Sequence, residues 1–174
     1  MKGEESDRRM RALEYFRGVR LLPGTWPIIR LDGRGFHAFV DGRFERPFDE
    51  RFRDLMVAAA QALLEELQGL YAYTMSDEIS LLLPREWDLF DRRMEKAVSI
   101  SAGIASAAFT HGAGEPAHFD SRIWLGADTD LVADYFSWRQ GEAARNALHT
   151  WCYWILRKEG RDDGKANRFY HLIL

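Results

Sequence analysis

The chain has 174 residues, 47% hydrophobic and 29% charged, which suits one globular domain able to bury roughly 70% of its unfolded surface and excludes a disordered chain. Its single cysteine, Cys152, excludes an internal disulfide framework and a cysteine-based zinc cage. A net charge of −3 excludes a globally basic nucleic-acid binder, so a polyanion site has to be local or to recruit metal ions. No apolar run approaches the ~18 residues of a membrane span, and Met1 to Arg11 is charged where a signal peptide is apolar. A cytoplasmic protein with no membrane partner is the expectation.

In chain order, Glu4 to Arg17 reads as a charged helix with an apolar edge at Met10, Leu13 and Phe16. Pro23, Gly24 and Pro27 punctuate a loop from Arg20 to Pro27. A short strand, Ile28 to Leu31, ends at Asp32-Gly33, and a glycine-containing loop runs from Gly33 to Gly42. Asp49 to Leu67 is helical, with Phe52, Leu55, Met56, Ala59, Leu63 and Leu67 on one face and Gly69 as its stop. Tyr71 to Thr74 and Ile79 to Leu83 are β-prone runs around Met75-Ser76-Asp77-Glu78, a hairpin with an acidic tip.

Asp88 to Phe109 is the second long helix, with small residues that permit close packing. Phe119 to Leu125 includes a short apolar segment, Ile123 to Leu125, that reads as a fourth strand, and Asp128 to Leu156 is a long helix with Gly141 as a point of interruption. Gly160 to Gly164 reads as a turn and Asn167 to Leu174 as a final short strand. The order β, α, β, β, α, β followed by a helix predicts a single-domain α+β fold. It is the ferredoxin-like split βαβ arrangement, with both long helices on one sheet face.

That topology makes the third strand antiparallel to the first, so its start lies beside the first strand's end. Asp32 and Asp77 then reach the same edge of the sheet. Two carboxylates around shared ions are the usual minimum for a two-Mg²⁺ phosphoryl-transfer site, where the metals sit ~3.5–4 Å apart. Taken singly, each acid is also an ordinary turn residue. The run Asp32-Gly33-Arg34-Gly35-Phe36-His37 is glycine-rich after a strand but has neither the Walker lysine nor a dinucleotide fingerprint. Its glycines would expose backbone N–H groups to phosphate oxygens. His37 alone is more often a packing or hydrogen-bonding residue. Arg92, Arg93 and Lys96 cluster at the start of the second long helix, where cations oppose the helix dipole and a triphosphate would relieve them. The alternative is a solvated face. Tyr135, Phe136 and Trp138 beside Arg139 offer an aromatic surface for base stacking or an interface.

Five ordered segments combine these features: R-L-D-G-R-G-F-H at 30–37, S-D-E-I-S at 76–80, F-D-R-R-M-E-K-A-V-S at 90–99, F-D-S-R at 119–122 and D-Y-F-S-W-R-Q at 134–140. Together with S-D-R-R-M-R-A-L-E at 6–14 they closely resemble the tRNA(His) guanylyltransferase family, in particular its guanylyltransferase-like branch. The resemblance runs from about residue 6 to 158 and fades after Arg157-Lys158-Glu159-Gly160, where family members usually continue. It implies a polymerase-like palm that adds nucleotides to the 5′ end of RNA in the 3′-to-5′ direction. ATP or GTP first activates a 5′-monophosphate, and the 3′-hydroxyl of an incoming NTP then attacks.

Residue by residue, the resemblance makes Asp32 and Asp77 carboxylate ligands of two Mg²⁺ ions and Gly33 a backbone-carbonyl ligand. Glu78 matches the acid beside the second aspartate and is counted with Asp32 and Asp77 as catalytic. Gly33, Arg34, Gly35, Phe36 and His37 match the nucleotide-holding turn, and Ser76 a triphosphate contact. Arg93 and Lys96 match basic residues around the triphosphate or the activating nucleotide. Arg46, in Phe44-Glu45-Arg46-Pro47, stands where the family usually has lysine, which keeps the charge but changes the geometry.

After W-R-Q the eukaryotic enzymes carry a His- and Asn-rich stretch. This chain has Glu142-Ala143-Ala144-Arg145-Asn146-Ala147-Leu148-His149, as in the branch associated with template-dependent repair of 5′-truncated tRNA. The expected partners are tRNA, NTPs and further copies of the chain in a homodimer or homotetramer. RNA is expected on a local basic surface from Arg139, Arg145 and Arg157, or one shared between subunits. The alternatives are guanylyl addition to the tRNA(His) 5′ end, a cyclase or oligonucleotide synthase, and a nucleotide- or RNA-binding module with reduced turnover.

Overall fold

Strand β1 (Trp26–Gly33) is the pivot of the sheet, because both of its edges are paired. The computed structural model describes residues 2–161. Around β1 it places helices α1 (Lys2–Ala12), α2 (Phe36–Val40) and α3 (Glu50–Glu66), strands β2 (Tyr71–Met75) and β3 (Glu78–Leu82), helix α4 (Met94–Ala113), strand β4 (Phe119–Gly126) and helix α5 (Thr129–Lys158). The strand order is β2-β3-β1-β4, with every neighbouring pair antiparallel. This is the expected split βαβ sheet.

Side chains alternate across the sheet, so residues facing one another in register share a face. Ile29, Leu31, Ile79 and Leu81 point to the side that α3 and α4 cover. There they are fully buried in one cluster with Met56, Ala59, Leu63, Ala97, Ala105 and Phe109. Each large aliphatic side chain buried this way contributes about 1.5–3 kcal/mol. Helix α3 starts where Asp49 caps it, the carboxylate accepting from the Arg51 N–H at 2.8 Å.

The intervening residues Arg30, Asp32, Glu78 and Ser80 occupy the other face. Helix α5 crosses that face. The Tyr135 hydroxyl and Ser80 Oγ are 2.9 Å apart, and rings of Tyr135 and Phe136 contact Trp124 and Tyr71, each pair with centroids 5.0 Å apart. Asp128 caps α5 by accepting from the Leu131 N–H at 2.9 Å.

Several boundaries differ from the sequence expectation: β1 starts at Trp26 rather than Ile28, β4 runs over Phe119–Gly126 rather than Ile123–Leu125 because its whole length pairs with β1, and α2 lies within the expected Gly33–Gly42 loop. Helix α1 ends at Ala12 rather than Arg17; Phe16 takes φ 65° and the apolar edge at Leu13 and Phe16 stays largely exposed. Strand β1 runs on through Asp32 and Gly33, because both remain paired with Asp120 and Phe119 of β4. Helix α4 begins at Met94 rather than Asp88. Phe90, Asp91 and Arg92 have φ of 59°, 53° and 56°, a left-handed turn that no helix can include. The segment before β1 holds this turn: Leu21 N–H donates to the Arg92 carbonyl at 2.8 Å and Met94 N–H to the Val19 carbonyl at 3.0 Å. The Arg92 guanidinium in turn donates to the Leu22 and Trp87 carbonyls, each at 2.6 Å. Helix α5 passes Gly141 unbroken. The strand expected at Asn167 to Leu174, and most of the turn before it, lie outside the described residues.

Candidate active site at the edge of the sheet

The end of β1 meets the start of β3. Asp32 is the register partner of Glu78, and the Gly33 N–H donates to the Asp77 carbonyl at 3.0 Å. The β2–β3 hairpin turns at Ser76, with φ 53°, and Asp77. The structure therefore brings Asp32, Asp77 and Ser76 together, as the antiparallel pairing requires. Burial pushes the Asp77 carboxyl above the ordinary carboxylate value; its own backbone N–H opposes this, the Asp32 charge adds to it, and the Ser76 hydroxyl opposes it.

A carboxylate raised in part by the charge of a neighbouring carboxylate forms a site for a compensating cation. Oxygen donors of this kind suit a hard ion such as Mg²⁺, which completes its shell with water and phosphate. Among the described residues no three His, Cys, Asp or Glu side chains converge on one point, so the donor set is this acid pair.

Glu78 differs from its neighbours. It is buried, and its two oxygens accept from Arg139 Nε and Nη2, both at 2.9 Å. Arg30 Nε stands 3.7 Å away and, although buried, has no hydrogen-bond acceptor. Burial raises the Glu78 carboxyl, with Arg139 and then Arg30 opposing. The third arm of Arg139, Nη1, pairs with Glu142, and the guanidinium lies 4.5 Å from the Trp138 ring centroid. Arg139 was expected on an RNA-facing surface. It is 4% exposed, and its donors are committed to two carboxylates. Arg145 is exposed and Arg157 half-buried. At about 100° per residue, six residues turn Arg145 away from the face that Arg139 and Arg157 share.

The Gly33–His37 turn follows directly. Gly33 is required by close packing: a Cβ there would sit 2.4 Å from the Phe36 ring. That ring is 3% exposed and packs against Phe39, Phe109 and Phe119. Phe36, expected among the nucleotide contacts, is thus a core side chain that can offer only its backbone. The Arg34 N–H is occupied by the His118 carbonyl at 2.8 Å. Gly35, with φ 72°, opens α2, and the Arg34 and His37 side chains are exposed.

The remaining basic candidates lie elsewhere. Arg93 caps the start of α4, and Lys96 follows on its first turn. Near the other end of α4, Ser106 Oγ accepts from the Phe119 N–H at 3.0 Å, beside Gly33 in the sheet. Arg93 lies 13 residues earlier, about 20 Å back along the helix. A single chain therefore does not place Arg93 and Lys96 against the acid pair. They line open clefts with Arg11, Glu14 and Arg17, of about 610 Å³ at Arg93 and about 440 Å³ where Lys96 joins. Arg46 stacks on Trp154 in the far half of α5, 5.8 Å from its centroid, and not at the acid edge.

Asp120 and Arg122 belong to the site face and were not singled out by sequence reasoning. Asp120 is the register partner of Asp32, Arg122 that of Arg30, and the two side chains pair at 2.9 Å. Period-two parity from the F-D-S-R segment would have found them.

The sheet order, with α3 and α4 on one face, defines a palm-like split βαβ fold. The family model for tRNAHis guanylyltransferase matches residues 7–127, so the chain belongs to the tRNA(His) guanylyltransferase family. It is 38% identical over 159 residues to the tRNA(His) guanylyltransferase of Neurospora crassa, covering 84% of this chain and 54% of that protein. It is 35% identical over 161 residues to tRNA(His) guanylyltransferase 1 of Arabidopsis thaliana, covering 86% of this chain and 28% of that protein. The chain thus spans from about a quarter to about half the length of these relatives.

Among solved structures, the tRNA(His) guanylyltransferase of Saccharomyces cerevisiae superimposes with a TM-score of 0.85 at 25% identity, covering 92% of this chain and 76% of that one. A bacterial tRNA(His) guanylyltransferase-like protein in complex with GTP gives a TM-score of 0.76 at 30% identity, covering 84% of this chain and 74% of that one.

Proposed function

We propose that the chain is a template-dependent 3′-to-5′ nucleotidyltransferase acting on the 5′ end of tRNA. The observation that carries this is the convergence of Asp32 and Asp77 on one edge of a palm-like sheet in a chain of this family. GTP is bound by one bacterial guanylyltransferase-like structure and ATP by another, and both are the nucleotides proposed for this chain.

Asp32, Asp77 and the Gly33 carbonyl would hold Mg²⁺, which lowers the pKa of an attacking hydroxyl and neutralises phosphoryl charge. Around that edge, backbone N–H groups of the Gly35–His37 segment face the triphosphate and the Ser76 hydroxyl donates to it. In the transfer, the 3′-oxygen of the incoming nucleotide bonds to the 5′ phosphorus of the RNA. The bond to the activating nucleotide breaks, and a nucleoside monophosphate leaves. From a triphosphorylated end the leaving group is pyrophosphate. The hydroxyl proton passes to solvent, with no side-chain base assigned.

Repair of truncated tRNA is favoured over obligatory guanylyl addition by the Glu142–His149 stretch, which lacks the His- and Asn-rich pattern. Arg93 and Lys96, remote from the acid pair of their own chain, fit a homo-oligomer that shares sites between subunits, in a cytoplasmic setting. Purified chain with NTPs, Mg²⁺ and 5′-truncated tRNA should extend the 5′ end opposite the template. Extension only of tRNA(His) lacking its extra guanosine would favour the guanylyl-addition reading. No extension, even of a 5′-triphosphorylated RNA, rejects both.

A further inference from the structure

We propose that Arg139 is a positioning residue for the acid edge, acting through Glu78, and that Glu78 is a strut rather than a metal ligand. This rests on Asp32 and Asp77 being the reacting edge. Glu78 follows Asp77 in the chain and faces Asp32 across the sheet, so whatever fixes Glu78 fixes the backbone of both. Both of its oxygens are taken by the planar fork of Arg139, each at 2.9 Å. A bidentate pair of this kind fixes direction as well as distance.

The fork is itself held. Its remaining arm pairs with Glu142, and Trp138 covers its face. Tyr135, Arg139 and Glu142 fall at i, i+4 and i+7 of α5, one stripe that docks on β3 through Ser80 and Glu78. Arg30 stays at 3.7 Å with a buried Nε lacking an acceptor, so the carboxylate is oriented toward Arg139 in preference to the nearer strand. The charge balance follows. Arg139 and Arg30 together offset Glu78 and Glu142, which leaves the Asp32 and Asp77 charges for a cation.

The test uses the full chain with Glu78→Gln, Arg139→Lys, Arg139→Gln, the neutral double variant Glu78→Gln/Arg139→Gln, and Asp77→Asn as reference. Mn²⁺ binding followed by electron paramagnetic resonance reports on ligands independently of any RNA. Asp77→Asn, which removes a ligand, should weaken Mn²⁺ well beyond Glu78→Gln, which removes only a supporting carboxylate. Arg139→Lys keeps the charge and loses the fork, so extension of a 5′-triphosphorylated RNA should fall about 10–100-fold in kcat with KM for NTP nearly unchanged. In the Glu78→Gln background, replacing Arg139 should add little, because its route is already cut.

Loss of Mn²⁺ binding in Glu78→Gln equal to that in Asp77→Asn overturns the strut. Native kcat in Arg139→Lys overturns the positioning role, and multiplicative losses in the double variant show that Arg139 acts on its own. Should a single variant fold poorly, the double variant still decides, since it removes both members of the buried Glu78–Arg139 pair together. A native chain that extends no RNA counts against the proposed function, while the Mn²⁺ measurement on the same variants still decides the role of Glu78.

Discussion

On the side of the sheet toward α3 and α4, Ile29, Leu31, Ile79 and Leu81 are fully buried among aliphatic and aromatic side chains. On the opposite side, the alternating positions of the same strands are Arg30, Asp32, Ser80 and Glu78. Two helices seal the first face. One helix, α5, crosses the second and meets it through a hydroxyl pair and a bidentate ion pair rather than through aliphatic packing alone. Period-two alternation thus separates stability from chemistry within single strands. The apolar face holds the sheet together. That allows the other face to keep carboxylates close and partly desolvated, at a cost the core offsets.

The sharpest break of this comparison is Asp32→Asn or Asp77→Asn. Turnover should fall at least about 100-fold, given the several kcal/mol that metal-assisted charge stabilisation supplies. The melting temperature should hold or rise, because one of two neighbouring like charges is gone. A matched fall in melting temperature would mean that the two faces are not separable. Leu63→Ala on the sealed face should do the reverse. It should cost about 2–5 kcal/mol in urea unfolding, with turnover per folded molecule unchanged.

Tyr135→Phe probes the seam between α5 and the polar face. It removes one partner of the buried Ser80 hydroxyl and should cost about 0.5–1.5 kcal/mol in the same measurement, with a smaller loss of turnover than Arg139→Lys.

The smallest effects are in pH. The Asp77 carboxyl is raised in the folded chain, so its contribution to stability is full below the ordinary 3.8 and is lost as pH rises through the elevated folded value. The Asp49 carboxyl is lowered, first by the Arg51 side chain. Its contribution is present above 3.8 and is lost as pH falls below it toward the depressed folded value. Melting curves against pH in metal-free buffer should therefore shift in opposite directions for Asp77→Asn and Asp49→Asn. A shift of the same sign in both would remove the distinction between the strained edge and the helix cap.

Much of the site was legible before any coordinates. An Asp-Gly closing one strand and an acidic hairpin tip opening an antiparallel one have to meet, whatever the side chains around them. The helix periodicities of α3 and α5 were equally direct, since apolar spacing is a local property. What failed did so for non-local reasons. Arg139 looked like a surface cation because its partner Glu78 is 61 residues away in sequence. Phe36 looked like part of a nucleotide turn, but its ring fills the space that Gly33 leaves open. Arg93 and Lys96 have the right spacing for a triphosphate, yet α4 begins at the end of the sheet opposite Asp32.

By itself, then, the order and period of residues determined the strand sequence, the antiparallel meeting of β1 with the hairpin, and the family resemblance. Those depend on neighbours along the chain and on alternation, which twenty residue types encode directly. Only the tertiary structure decided which charges are spent on one another and which stay available. Ion pairing depends on distance and burial across the fold, and one helix laid over the polar face joins Arg139, an expected RNA contact, to Glu78 in a buried pair.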